Sequence, residues 1–347
     1  MSMDRRFAPL FFAFLLLLPS AIAAGEEESD VTLEVWHSFA AESQEEATFL
    51  DAISQFESLN SAIKVEVTGV PFGDIDQLYL TAAQGGEAPD LVRLSSDQLG
   101  EIGEVRVDGY PLLEDLRPHL TPSERAIFDG KALQSMRYGD ALYGIPASQD
   151  CLSLLYNRAL FDAEGIAYPN SNWTQNDLIS AAQNLTQGDV YGLAVPTKVA
   201  YWWFPFQTGF GGGLFDNSGN PNLGSNGSAQ ALEWYLSLEQ VHGVVRTGTV
   251  GETMESQFIQ SEAAMIVDGP WNWATYEAGR LDVGQTLLPI IEETGLRSSP
   301  LVTYKGWSVS KQSEQKIASA DLALFLSSPS VQKMFALDTM TMPTAVE

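Results

Sequence analysis

The chain has 347 residues, with 45 acidic against 18 basic side chains, a formal charge of −27 and one cysteine. A field of that sign repels nucleic acid and anionic lipid, so neither is expected as a partner. A single cysteine permits no intramolecular disulfide, so a chain of this length must be held by hydrophobic cores, and it is long enough for two domains.

Residues 1–24 read as a secretory signal peptide. Arg5 and Arg6 precede an apolar run ending at Leu18, and Ala21-Ile22-Ala23 places small residues at alternate positions ahead of cleavage near Ala23 or Ala24. The run is shorter than the about 20 residues of a membrane-spanning helix, although retention as an anchor is the alternative. Export to the periplasm or the extracellular space is therefore expected. A lipid anchor at the cleavage point would need a cysteine there, and the cysteine is Cys151. Residues 25–30, rich in Glu, form an acidic tether to the first strand.

Val31 to Trp36 alternates as a strand, and Glu45 to Leu59 carries Ala47, Leu50, Ile53 and Phe56 at helical spacing. Ile63 to Val67 is a second strand, Leu78 to Ala83 continues a helix that stops at Gly85-Gly86, and Pro89 to Leu94 is a third strand. Strands separated by helices imply a mostly parallel sheet with ligand loops beyond the strands' carboxyl ends. That rule puts Trp36, His37, Phe39, Ser95, Ser96 and Asp97 on one binding edge. The alternation resumes with a strand at Leu152 to Tyr156, a helix at Thr174 to Leu185 and a strand at Tyr191 to Val195. An aromatic stretch with three glycines, AYWWFPFQTGFGGGLF, occupies residues 200–215. Helices at Ser228 to Val241 and Thr253 to Ser261 lead into the apolar Ala263 to Val267, and no short-period repeat occurs.

Several local patterns follow one another in a fixed order. Tyr143-Gly144-Ile145-Pro146 precedes Leu154-Leu155-Tyr156-Asn157-Arg158-Ala159-Leu160-Phe161, then Asn172-Trp173-Thr174, Gly211-Gly212-Gly213-Leu214-Phe215 and Ser261-Glu262-Ala263-Ala264-Met265. Asp268-Gly269-Pro270-Trp271 and Gly306-Trp307-Ser308-Val309-Ser310 complete the series. Together they resemble the extracellular solute-binding proteins of ABC importers, in the carbohydrate-binding group that includes the maltose/maltodextrin-binding protein. The resemblance runs from about residue 31 to the end. It implies an α/β, two-lobe, type II periplasmic-binding-protein-like fold, each lobe a mostly parallel sheet flanked by helices, with the ligand cleft between lobes. Crossings near Ala147 to Leu152 and Pro300 to Gly306 would make lobe one of residues 31–147 and 303–345, and lobe two of 148–302. Family members usually continue past the point where this sequence stops at Glu347, so the C-terminal helices of lobe two are expected to be missing.

A sugar offers C–H faces to aromatic planes and a rim of hydroxyls to hydrogen-bonding groups. The resemblance aligns Tyr201 and Trp202 with cleft aromatics of lobe two and Trp271 with a stacking tryptophan, which a Gly-Pro turn would hold at a strand's carboxyl end. It also places Asp150 where members carry a sugar-binding acid. Asp97 matches a second acid, and Gln98 stands where an Arg is common, which removes a forked donor. Trp36 and His37 lie in the first strand–helix loop, where Ala40 and Ala41 replace a charged pair; a half-buried structural role for His37 is the alternative. Trp203 and Trp273 read equally as core or site, and Phe204, Phe206 and Phe215 read as core. Leu94 and Val199 replace a stacking Trp and an acid, which argues against maltose itself and for a mono- to oligosaccharide or sugar-like osmolyte.

His37, His119 and His242 are scattered and none pairs with the cysteine, so no metal and no cofactor are expected. Nucleophile-elbow, Walker and dinucleotide fingerprints are missing. A non-enzymatic, monomeric receptor that binds a carbohydrate ligand and delivers it to ABC permease transmembrane subunits is the expected function. A secreted glycoside-active enzyme, which needs two carboxylates about 5–10 Å apart, a binder of a non-sugar solute, and an adaptor for a chemoreceptor are the alternatives.

Overall fold

The computed structural model describes residues 31–346, so the expected signal peptide and tether lie outside the described residues. The first lobe opens with β1 (Val31–His37), α1 (Gln44–Leu59), β2 (Ile63–Gly69), α2 (Ile75–Gly85), β3 (Leu91–Ser95) and α3 (Leu99–Glu104). Helices α1 and α2 have a sequence reason to start or stop. The Ser43 side chain accepts a hydrogen bond from Glu46 N at the start of α1, and Glu45 and Glu46 complement the positive end of its dipole. Thr48, Phe49, Ala52, Ile53 and Phe56 then make one buried stripe. Gly86, in the left-handed region at φ 82°, closes α2.

After short hairpins at 106–111 and 137–142, β4 (Ile145–Asp150) leads out of the first lobe and β5 (Ser153–Asn157) begins the second. That lobe adds α4 (Arg158–Glu164), α5 (Gln175–Leu185), α6 (Ala200–Gly209), α7 (Asn226–Gln240), α8 (Gly251–Ile259), β6 (Met265–Asp268), α9 (Trp273–Ala278) and β7 (Val283–Thr286). A capping box between Thr174 and Asp177 starts α5. The chain then returns through β8 (Thr303–Val309) to the first sheet and ends with α10 (Lys316–Leu326) and α11 (Pro329–Thr339).

The first sheet has the order β2-β1-β3-β8-β4. Its first three strands are parallel, while β8 pairs antiparallel with both β3 and β4. The parallel pattern expected from the sequence therefore holds for the βαβ part, and the sheet as a whole is mixed because two strands that carry the chain between lobes complete it. The second sheet, β6-β5-β7, is antiparallel throughout. The expected strand from Tyr191 to Val195 forms only isolated parallel bridges, Tyr191 with Ala263 and Ala194 with Ile266.

Three cores result. One unites residues 33–145 with 304–331, a second is drawn from 152–288, and a third, which holds Phe258 and Tyr276, from 155–276. In the first, Trp307 is 2% exposed and stacks on Phe49 at 5.4 Å. In the second, Phe206 is fully buried against Trp234 and Tyr235 at 4.8 and 5.5 Å. Phe215 does not join it: expected as packing, it is 63% exposed in the turn after the glycines. Residues beyond α11 are tied back to the first lobe, with Gln149 N donating to Met342 O and Asp129 N to Thr344 O.

Candidate functional site

The strands that carry the chain between lobes bring two opposite charges together. Asp150 ends β4 opposite Thr303 of β8, so Lys305, two residues further along β8, is its diagonal neighbour on the same face. Lys305 Nζ lies 2.7 Å from Asp150 Oδ2, with the side chains 14% and 6% exposed. A bulge between Lys305 and Gly306 shifts the register there and aims Lys305. Gly306 is held tightly, since an added Cβ would come 2.4 Å from Ile145 O.

Aromatic planes flank this pair. Trp271, from the Gly-Pro turn after β6, has its ring centroid 5.5 Å from Lys305 Nζ. Tyr201, in the first turn of α6, lies 6.3 Å from Trp271 and 5.3 Å edge-on from Trp202. Burial pushes the Tyr201 phenol well above its usual range, and the nearby Asp150 carboxylate pushes in the same direction. The Asp97 charge also acts on Tyr201, and Thr303 offers it a side-chain hydrogen bond. Tyr201, Trp271, Lys305 and Asp150 are thus brought to one place, from the second lobe and from the strands between the lobes.

The remaining expected residues divide. Trp202 is half-buried, and its indole N–H donates to Val267 O at 2.8 Å, so its polar atom serves the lobe and its ring backs Tyr201. Gln98 turns inward to its own loop, its Oε1 accepting from Ser95 N at 2.9 Å, while Asp97 is exposed and accepts from Ser95 Oγ. His37, expected to offer a hydrogen bond to ligand, is instead enclosed. It is 2% exposed, 4.9 Å from Phe49 and 5.6 Å from Phe39, with Glu46 Oε1 at 3.9 Å. Burial holds its imidazole below the usual value, against the pull of Glu46. The reason is strand alternation: His37 points toward α1, and Trp36, on the opposite face, is half-buried against the first core.

Four residues here were not expected from sequence. Lys305 lay in a segment legible only as a crossing, and its partner appears once the register of β4 and β8 is known. Phe72, between Pro71 and Gly73, has its ring centroid 4.8 Å from Lys305 Nζ; an aromatic residue in a Pro-x-Gly loop is the signal that was present. Glu45 has its carboxyl raised by burial and is coupled to Arg93, Lys305 and Asp150, with Thr341 Oγ1 donating to it at 3.1 Å. Arg93 is 5% exposed, 4.0 Å over the Phe39 ring, and donates to Ser38 Oγ.

Three residues before Trp271 in the chain lies a second buried acid. Asp268 is fully buried at the end of β6 and accepts hydrogen bonds from Asn272 Nδ2 at 3.0 Å and from the Tyr276 hydroxyl. Burial pushes its carboxyl up to about 7. Among the described residues, no group of three or more His, Cys, Asp or Glu is placed to hold a metal ion, and no helix is long and apolar enough to cross a membrane.

The arrangement offers flat apolar faces beside a paired donor and acceptor. Known proteins share the chain's pattern. The family of bacterial extracellular solute-binding proteins matches residues 40–333. A galactooligosaccharide-binding protein of Bacillus subtilis is 26% identical over 305 residues, which is 84% of this chain and 69% of that protein. A maltotriose-binding protein of Pyrococcus abyssi is 21% identical over 321 residues, 90% of this chain and 66% of its own. Among solved structures, the maltose/maltodextrin-binding domain of Bdellovibrio bacteriovorus bound to maltotriose has a TM-score of 0.82 at 26% identity, covering 91% of this chain and 82% of that one. The Thermus thermophilus maltotriose-binding protein, also bound to maltotriose, has a TM-score of 0.80 at 25% identity, covering 90% and 81%. With the family pattern matched over most of its length and the two-lobe fold in place, the chain belongs to the bacterial extracellular solute-binding proteins.

Proposed function

We propose that this chain is the extracytoplasmic receptor of an ABC sugar importer. It takes up a mono- to oligosaccharide or sugar-like osmolyte between its lobes and delivers it to the permease subunits on hinge closure. The lobes are residues 31–147 with 303–345, and 148–302. The observation that carries the reading is the meeting of Trp271 and Tyr201 with the Asp150–Lys305 pair. Rings cover a sugar's C–H face, and a paired acceptor and donor address its hydroxyls. Similar proteins named for galactooligosaccharide and maltotriose support the same class of ligand.

Ligand binding to both lobes would shift the population of lobe orientations toward closed, and the permease would read the closed shape. The receptor acts as a monomer and performs no reaction on its ligand. Isothermal titration of the folded protein with maltotriose, a galactooligosaccharide and α-D-tagatose tests the reading. Saturable binding of one of them, with the sugar recovered unchanged, is expected. Appearance of hydrolysis products would convert the assignment to a glycoside-active enzyme. Binding of an amino acid or peptide with no response to any saccharide would overturn it.

A further inference from the structure

Phe72 is 43% exposed in the loop after β2, and the core of the first lobe does not use it. Its ring nevertheless stands 4.8 Å from the Lys305 ammonium, and the same ammonium is 5.5 Å from the Trp271 ring. Phe72 comes from the first lobe, Trp271 from the second, and Lys305 from a strand between them. One cation thus lies within reach of one aromatic ring from each lobe, with the Asp150 carboxylate 2.7 Å from it.

We infer that Phe72, Lys305 and Trp271 form a subsite for one uncharged sugar ring. Phe72 and Trp271 each supply an apolar face from one lobe, and Lys305 with Asp150 addresses the hydroxyl edge. The inference rests on the carbohydrate reading above and adds to it two contact residues and a charge preference. An ammonium has three donors and no acceptor. Asp150 takes one direction, which leaves Lys305 donors for ligand hydroxyls. The same pairing argues against an anionic ligand. Asp150 offsets the Lys305 charge, Glu45 is coupled to both, and the Asp97 charge reaches Tyr201. The second cation nearby, Arg93, is enclosed against Phe39 and Ser38. A uronate carboxylate entering here would meet the Asp150 carboxylate with one already paired ammonium to receive it.

The test uses the full exported chain, titrated by calorimetry and by tryptophan fluorescence with maltotriose, with whichever other saccharide the wild type binds, and with a uronic acid matched to a neutral hexose. Phe72→Ala, at an exposed position, is expected to keep the wild-type melting temperature and to bind about tenfold more weakly. Lys305→Met is expected to weaken binding by about 10- to 100-fold, as loss of a charged donor implies. The neutral hexose is expected to bind more tightly than its uronate. Unchanged affinity in a folded Phe72→Ala variant, or a uronate preferred to its neutral counterpart, overturns the subsite while leaving the sugar receptor standing. If Lys305→Met fails to fold, Phe72→Ala decides alone. A wild-type protein that binds no saccharide overturns both readings.

Discussion

Lys305 and Asp150 meet as a diagonal pair across β8 and β4, Nζ to Oδ2 at 2.7 Å, on the two strands that connect the lobes. Both side chains are largely buried, so neither charge is solvated well enough to stand alone. Removing one partner leaves the other desolvated, at a cost of about 3–5 kcal/mol. Lys305→Met alone should therefore lower the free energy of unfolding by an amount of that order. The Lys305→Met/Asp150→Asn double variant should recover most of it. Urea denaturation of the four species in a double-mutant cycle measures the coupling, and additive losses would show that the two charges do not depend on each other.

Trp271 owes its position to a missing side chain. Gly269 leaves room for the Trp271 ring to fold back over its backbone, and a Cβ there would lie 2.1 Å from a ring carbon. Gly269 sits at φ −109°, where alanine is unstrained, so Gly269→Ala acts through that contact. The expected outcome is a displaced indole and sugar affinity reduced about tenfold or more. A shifted tryptophan emission in the ligand-free variant is the accompanying sign.

Two aromatic residues separate site from core. Trp271→Ala should weaken sugar binding and leave the unfolding midpoint close to wild type, because the ring is only partly buried. Phe206→Ala should do the reverse. Fully buried against Trp234 and Tyr235, it should cost about 3–5 kcal/mol. Parallel calorimetry and denaturant titration would reveal any exchange of these roles.

Asp268 makes stability depend on pH in a stated direction. Its carboxyl is raised to about 7 in the fold from an ordinary 3.8. Below pH 4 the folded and unfolded chains both hold the proton and the group is neutral in its effect. Between pH 4 and 7 the unfolded chain releases the proton first, so stability falls as pH rises, reaching a penalty of at most about 4 kcal/mol above pH 7. Asp268→Asn keeps an acceptor for Tyr276 and removes the charge. Its melting temperature relative to wild type should rise steadily from pH 4 to pH 8, and a constant difference would refute the assignment.

Much of the fold was legible because its causes are local. Ser43 and Gly86 bound helices by their own chemistry, and the period of Thr48, Ala52 and Phe56 needs no partner to be read. Tyr201 and Trp271 were legible as aromatics in a familiar order, but their neighbours were not. His37 looked like a cleft residue by its place at the end of β1, yet the parity of that strand position turns it into the core. Trp202 adjoins Tyr201 in sequence, yet its N–H is taken by Val267 O.

What the amino-acid sequence determined by itself was the opening strands and helices of the first lobe, the helices α5, α7 and α8, and the excess of acidic charge. These follow from periodicity, capping and charge, which act over a few residues. Only the tertiary structure decided that Lys305, Phe72 and Glu45 stand beside Asp150, Tyr201 and Trp271. Those contacts join residues up to about 260 positions apart, through a strand register and a bulge that depend on how β8 is inserted between β3 and β4. No local propensity encodes that insertion. It arises because burying both faces of the returning strand is the arrangement that completes the first sheet.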